Sequence, residues 1–203
     1  KPDSLGQSVA REAISTYTDV PAKHILLTPG TSLSYWYAFK LLCEPGSEVL
    51  CPTPSYPLLN YITRLAEIEL NTYKLNEQNK WSVDMDQIEQ QISEQTRAIV
   101  LISPHNPTGM VSSQSQINEL CRIAVKHNLP LIFDEVFREF VRDGIEPIRP
   151  TNSDVRLVFT LNGFSKMFAL PGIKIGWMTV SGEEKLVRKA IRTLELISDT
   201  FLP

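Results

Sequence analysis

Short apolar segments rich in β-branched residues alternate along this chain with longer amphipathic segments, and this alternation restricts the fold more than any other feature. Strands separated by helices of this length lie mostly parallel, and both faces of their sheet are covered. The sequence therefore predicts an α/β fold with three layers, α-β-α, around a mostly parallel sheet of seven strands. The predicted strands are 25–28, 49–52, 70–73, 98–102, 131–134, 155–161 and 175–180, and the predicted helices are 4–17, 31–43, 57–66, 84–93, 112–127 and 182–197.

The composition argues against several classes of protein. The 203 residues include 20 Lys and Arg against 23 Asp and Glu, which gives a formal net charge of -3. No basic run is present, so neither a nucleic-acid partner nor a membrane partner is expected. The three cysteines lack the spacing of metal ligands, so no metal site is expected either. Free thiols indicate a reducing compartment, and we expect the protein to be cytoplasmic.

Polar, glycine-rich and aromatic residues follow five of the predicted strands. In chain order these segments are PGTSLS, TPSYP, SPHNPTG, the pair Asp134-Glu135, and NGFSK. Ligands of parallel α/β sheets bind outside the carboxyl ends of the strands. The sequence therefore predicts one ligand site where these segments meet.

Two of these segments contain groups suited to charged ligands. Gly30, Thr31 and Ser32 open a predicted helix, where free N–H groups and short hydroxyls form a corner that can bind a phosphate. The alternative is an ordinary helix cap. Asp134 closes an apolar strand, where a carboxylate needs a cation or an N–H partner. Its alternative role is to cap the next segment.

In two other segments, a candidate ligand-binding residue is flanked by prolines. Pro104 and Pro107 restrict the backbone on either side of Asn106 and so hold its amide in one place, although the segment also makes sense as a turn. Tyr56 also lies between prolines and could stack on a flat ligand, although buried aromatic residues usually belong to the core. His105 is expected to pack within its loop.

Two lysines lie eight residues apart in the apolar segment GFSKMFALPGIKIGW, residues 163–177. A buried ammonium is costly unless it is paired or neutral, and the simplest interpretation is that both side chains reach water. The alternative is that Lys166 lies in a partly apolar pocket beside a second cation, Lys174. Such surroundings favour a neutral amine and Schiff-base chemistry.

Five motifs in this order and at this approximate spacing resemble the class I/II aminotransferases, which are fold-type-I enzymes that use pyridoxal 5'-phosphate. The motifs are TPGTSLS, PTPSYPLLNY, SPHNPTGM, LIFDEVF and NGFSKMFALPGIKIGW. The resemblance covers nearly the whole chain. It implies that Lys166 forms the Schiff base with the cofactor and later moves a proton. It also implies that Asp134 keeps the pyridine nitrogen protonated, Asn106 donates to the phenolic oxygen and Tyr56 stacks on the ring.

The resemblance also assigns the phosphate site and shows two departures from the family pattern. Thr31 and Ser32 match the phosphate donors, and Lys174 occupies the place of the family's usual arginine, which replaces a bidentate fork by a point charge. Phe137 stands where the family commonly has a tyrosine that donates to the phenolic oxygen. Its loss is expected to raise the pKa of the imine.

The resemblance implies that residues 1–203 form the cofactor-binding large domain, without the N-terminal segment and the C-terminal small domain. The chain starts at Lys1 and ends directly after a helical segment, so we expect a piece of a longer protein that alone lacks activity. The full protein is expected to be a homodimer that transfers an amino group between an amino acid and a 2-oxo acid. The alternatives are a C–S lyase or decarboxylase on the same fold, or a non-catalytic sensor domain.

Overall fold

The computed structural model describes residues 3–142, 144–150 and 153–201. The strands are β1 (Ile25–Thr28), β2 (Glu48–Thr53), β3 (Glu69–Asn76), β4 (Ser82–Val83), β5 (Thr96–Ile102), β6 (Leu131–Asp134), β7 (Leu157–Gly163) and β8 (Gly176–Gly182). The helices are α1 (Ser8–Thr18), α2 (Thr31–Leu42), α3 (Leu58–Ala66), α4 (Met85–Gln91), α5 (Gln114–Lys126), α6 (Phe164–Met167) and α7 (Glu184–Phe201).

The strands form one sheet in the order β1-β8-β7-β6-β5-β2-β3-β4. The five strands β7, β6, β5, β2 and β3 run parallel to one another, whereas β8 is antiparallel to both β7 and β1, and β4 is antiparallel to β3. The sheet is therefore mostly parallel, as predicted, but it has eight strands and not seven. The additional strand β4 has two residues, which is too short to produce an apolar pattern in the sequence.

Alternate residues of the central strands pack into two separate cores on opposite faces of the sheet. In β5, Val100 faces the core that contains α2, α3 and α7, whereas Ile99 and Leu101 face the core that contains α4 and α5. Ile25 and Trp177 pack with α1 in a third, smaller cluster. This arrangement follows from the two-residue period of a strand and confirms the three-layer α-β-α fold.

Each of the six predicted helices is present, with ends that differ from the prediction by up to four residues, whereas the short helix α6 was not predicted. Helix α1 begins at Ser8 and not at residue 4, because Gly6 has a φ of +93° and Gln7, with a ψ of 129°, is not helical. Helix α5 begins at Gln114 and not at residue 112, because Ser113 forms a capping box with Gln116. Of the helices in the described ranges, none combines the length and apolar character that a bilayer crossing requires.

Candidate active site

The predicted ligand-binding segments meet at one edge of the sheet. Asp134 at the end of β6 lies beside Ile102 at the end of β5. Gly176, which begins the antiparallel strand β8, pairs both with Gly163 at the end of β7 and with Thr28 at the end of β1. The segments after β1, β5, β6 and β7 therefore start from the same carboxyl edge, as the sequence predicted.

The start of helix α2 packs directly against β7 and β8 at two glycines. A Cβ atom on Gly176 would lie 2.9 Å from the backbone nitrogen of Thr31 and 2.9 Å from the carbonyl carbon of Gly30. A Cβ atom on Gly163 would lie 2.9 Å from the oxygen of Ile175 and 3.3 Å from Thr31 Oγ1. Only glycine at these two positions allows the helix start to approach the strands this closely.

We expect the Gly176→Ala substitution to destabilise the fold by about 1–3 kcal/mol, because backbone atoms would have to move to admit the methyl group. The measurement is the free energy of unfolding from urea titrations monitored by circular dichroism. Gly172→Ala is the matched control, since no atom lies within 4 Å of the added carbon at that position. Equal unfolding midpoints for the two variants would contradict the close approach.

The first turn of α2 offers donors for an anion. Gly30, with φ +94°, precedes the helix and provides no side-chain cap. Within the described part of the chain, the N–H groups of Thr31 and Ser32 donate to no acceptor, and the hydroxyl of Thr31 contacts the oxygen of Asn162 at 3.5 Å. Free N–H groups at the positive end of a helix bind phosphates and carboxylates.

Asp134 is a buried carboxylate that is held from two sides. Its Oδ2 accepts a hydrogen bond from the hydroxyl of Tyr35 at 2.8 Å, and its Oδ1 accepts one from the N–H of Val136 at 2.9 Å. Burial raises the pKa of Asp134 from 3.8 to about 6, while the two hydrogen bonds oppose the rise. The bond with Val136 is the capping role considered for this residue, and the bond with Tyr35 adds a partner from a distant helix.

Lys166 lies in α6, directly after the end of β7, and is exposed. Its Nζ lies 5.7 Å from the centroid of the Phe137 ring. Lys174 is exposed as well, with a φ of +58°. Residues 168–174 are exposed too. In the described residues both lysine side chains thus reach water, which agrees with the simpler of the two interpretations.

Asn106 reaches the same region from β5. It lines a cavity of about 870 Å³ together with Phe137, the residue whose ring faces Lys166. The loop around it is closed by backbone hydrogen bonds from His105 to Met110 at 2.8 Å and from Gly109 to His105 at 2.7 Å. Phe137 therefore lines the same cavity as Asn106 and also faces Lys166.

The exposure of Tyr56 and of His105 decides between interpretations that the sequence left open. Tyr56 is 50% exposed, so the interpretation of this ring as a core residue is wrong, and a ligand can reach the side chain. His105 is buried, its Nδ1 lies 2.9 Å from the hydroxyl of Thr108, and burial lowers its pKa to about 4. His105 thus packs within its loop, as expected.

Two features near the site were not predicted from the sequence. Tyr35 binds Asp134 across 99 positions of the chain. Glu135 is fully buried and accepts two hydrogen bonds of 2.7 Å from Arg149 and one of 3.1 Å from Asn162. Tyr35 follows Thr31 by four residues, which places both on one helix face, and this spacing was the one available signal. Arg149 lies in a loop, where no periodicity points to its partner.

The chain belongs to the family described as aminotransferase class I and II, which it matches over residues 2–202. It is 34% identical to the glutamate-pyruvate aminotransferase AlaA of Escherichia coli K12 over 98% of this chain and 51% of that protein. It is 33% identical to an aspartate aminotransferase of Sulfurisphaera tokodaii over 92% of this chain and 47% of that protein.

Solved structures give the same result. An aminotransferase from Escherichia coli superposes with a TM-score of 0.91 at 33% identity, covering 98% of this chain and 51% of that one. An alanine aminotransferase from Pyrococcus furiosus superposes with a TM-score of 0.91 at 28% identity, covering 98% and 52%. The fold is thus that of the fold-type-I enzymes, and the chain spans about half the length of the relatives it matches.

Proposed function

We propose that residues 1–203 are the cofactor-binding large domain of a pyridoxal 5'-phosphate-dependent aminotransferase, whose N-terminal segment and C-terminal small domain lie outside this sequence. The whole protein would transfer an amino group between an amino acid and a 2-oxo acid. The observation that carries the proposal is the buried carboxylate of Asp134, which lies at the same sheet edge as the start of α2 and the segment that contains Lys166.

The donor set at this edge is suited to each part of the cofactor. The free N–H groups of Thr31 and Ser32 would bind the phosphate, with Lys174 as its cationic partner. Asn106 would donate to the phenolic oxygen, and the half-exposed ring of Tyr56 would stack on the pyridine.

Asp134 and Lys166 would carry the chemistry. When bound, pyridoxal 5'-phosphate supplies a ring that withdraws electrons from the substrate Cα. The ionised carboxylate of Asp134 would hold a proton on the pyridine nitrogen, which strengthens that withdrawal. Lys166 would hold the cofactor through its Nζ and, once the substrate amine has displaced it, would move the proton at the substrate Cα. Phe137 has no hydroxyl, so it leaves Asn106 as the donor to the phenolic oxygen.

The partners and location follow from the same proposal. The family implies small-molecule substrates, and we propose a homodimer for the full-length protein. Cys43, Cys51 and Cys121 are free thiols in the structure, which supports a reducing compartment, and we propose the cytoplasm.

Borohydride trapping tests the cofactor site. We expect that mixing the chain with pyridoxal 5'-phosphate, reducing with borohydride and mapping peptides by mass spectrometry will place a phosphopyridoxyl group on Lys166. Lys166→Arg should lose this label, whereas Lys185→Arg, at an exposed position on α7, should keep it. The same labelling on the full-length protein is the decisive control, because absence of the adduct there would contradict the proposal.

A product assay on the full-length protein tests the reaction. Transamination passes the amino group to an added 2-oxo acid without free ammonia, whereas β-elimination releases pyruvate and ammonia. We expect transfer to the 2-oxo acid without free ammonia. Stoichiometric release of ammonia would contradict the aminotransferase proposal and indicate a lyase.

A further inference from the structure

The hydrogen bond between Tyr35 and Asp134 joins two parts of the site that the chain supplies from distant positions. Tyr35 lies on α2, four residues after Thr31, and its hydroxyl reaches Asp134 Oδ2 at 2.8 Å. Both side chains are buried, with 5% of Tyr35 and 6% of Asp134 exposed. The helix that presents the anion-binding corner therefore also holds the carboxylate.

A buried tyrosine does not need a carboxylate to satisfy its hydroxyl. Tyr73 is fully buried as well, and its hydroxyl donates to the backbone oxygen of Val100 at 2.7 Å. Tyr35 instead uses a charged acceptor at the end of β6, and bonds to ionised acceptors are about twice as strong as neutral ones. The choice of a carboxylate as the acceptor for the Tyr35 hydroxyl indicates a role for Tyr35 in the site.

We propose that Tyr35 is a positioning residue for Asp134: its hydroxyl fixes the carboxylate with one lone pair of each oxygen still available, and so prepares it to receive the pyridine N–H of the cofactor. The inference rests on the function proposed above. Val136 holds Oδ1 from the backbone, and Tyr35 holds Oδ2 from the side chain of another element. Without the hydroxyl, the carboxylate of Asp134 would lose one of its two hydrogen bonds. It could then rotate more freely, and its negative charge would be less stabilised.

The hydroxyl and thiol groups around Asp134 stay neutral over the neutral pH range. Burial and the charge of Asp134 raise the pKa of Tyr35 well above its ordinary value, so its hydroxyl remains a donor. Burial also raises the pKa values of Tyr73 and Cys51, so both stay neutral. The remaining neighbour, Glu135, is held by Arg149 in a two-bond pair. A titration near neutral pH at this place therefore reports on Asp134.

The test is the Tyr35→Phe substitution, which removes one oxygen and keeps the ring that packs on Phe39. In the chain without cofactor, ¹³C NMR of labelled aspartate carboxyls, with Asp134→Asn to assign the signal, should show the pKa of Asp134 rise by about one pH unit. Tyr73→Phe is the matched control, another buried tyrosine that lacks a carboxylate partner, and it should leave that pKa unchanged.

The second readout is the pH profile of cofactor affinity in the full-length protein. Its acid limb should move upward by about one pH unit in Tyr35→Phe, because the ionised carboxylate is required for binding. An unchanged pKa of Asp134, or an acid limb that coincides with that of the wild type, would overturn the inference. Failure of the wild-type protein to bind cofactor would overturn the proposed function instead, and the NMR titration, which contains no cofactor, separates the two cases.

Discussion

If the full-length protein has the function proposed above, replacing Asp134 by asparagine is expected to lower its rate of amino-group transfer by about 10²- to 10³-fold. The amide has nearly the shape of the carboxylate and can still accept the hydrogen bonds of Tyr35 and Val136, but it carries no charge that could hold a proton on the pyridine nitrogen. The measurement is the rate of 2-oxo acid formation at saturating cofactor. Asp86→Asn, which changes an exposed carboxylate in α4, should keep the wild-type rate.

The same variant has a second expected effect in the chain without cofactor. Because burial raises the pKa of Asp134 to about 6, the folded state keeps its proton between about pH 4 and pH 6 while the unfolded state has lost it. This group's contribution to stability is therefore full below about pH 4 and is lost as pH rises through about 6, a change of about 3 kcal/mol.

Asp134→Asn should remove this pH dependence. The free energy of unfolding of the variant minus that of the wild type should therefore increase from pH 4 to pH 8. The measurement is urea unfolding of both proteins at these two pH values. A difference between the two proteins that is independent of pH would show that the carboxylate is not desolvated in the fold.

Replacing Glu135 by alanine is expected to destabilise the chain by about 3–5 kcal/mol. The guanidinium of Arg149 is largely buried, with 13% of its side chain exposed, and both of its short hydrogen bonds end on Glu135. Without the carboxylate, a buried cation would lose its partner, and the amide of Asn162 would lose its acceptor. Urea unfolding at pH 7 is the measurement.

A double substitution distinguishes two causes of this destabilisation, the unpaired charge of Arg149 and the missing side chain of Glu135. In Glu135→Gln with Arg149→Met, no charge remains buried, so we expect much of the stability to return. A loss below about 1 kcal/mol in Glu135→Ala would mean that the guanidinium of Arg149 turns to water and that the pair contributes little to the fold.

The local elements and the chemical composition of the site edge were readable from the sequence. The bounds of β1 and β6 agree with the prediction residue for residue, because short apolar runs that end in polar residues are a local signal. The same locality allowed Thr31, Asn106, Asp134 and Lys166 to be assigned to strand ends, since the carboxyl edge of a parallel sheet is defined once the strands are known.

Only the tertiary structure decided which distant groups meet at that edge. The pairing of Tyr35 with Asp134 and of Glu135 with Arg149 depends on how α2 and the loop before β7 pack against β6, and the sequence has no period that encodes such contacts. The antiparallel direction of β8 and the exposure of Lys166 and Tyr56 are of the same kind. Strand and helix patterns are set by neighbours along the chain, whereas burial and pairing are set by the packing of whole elements against one another.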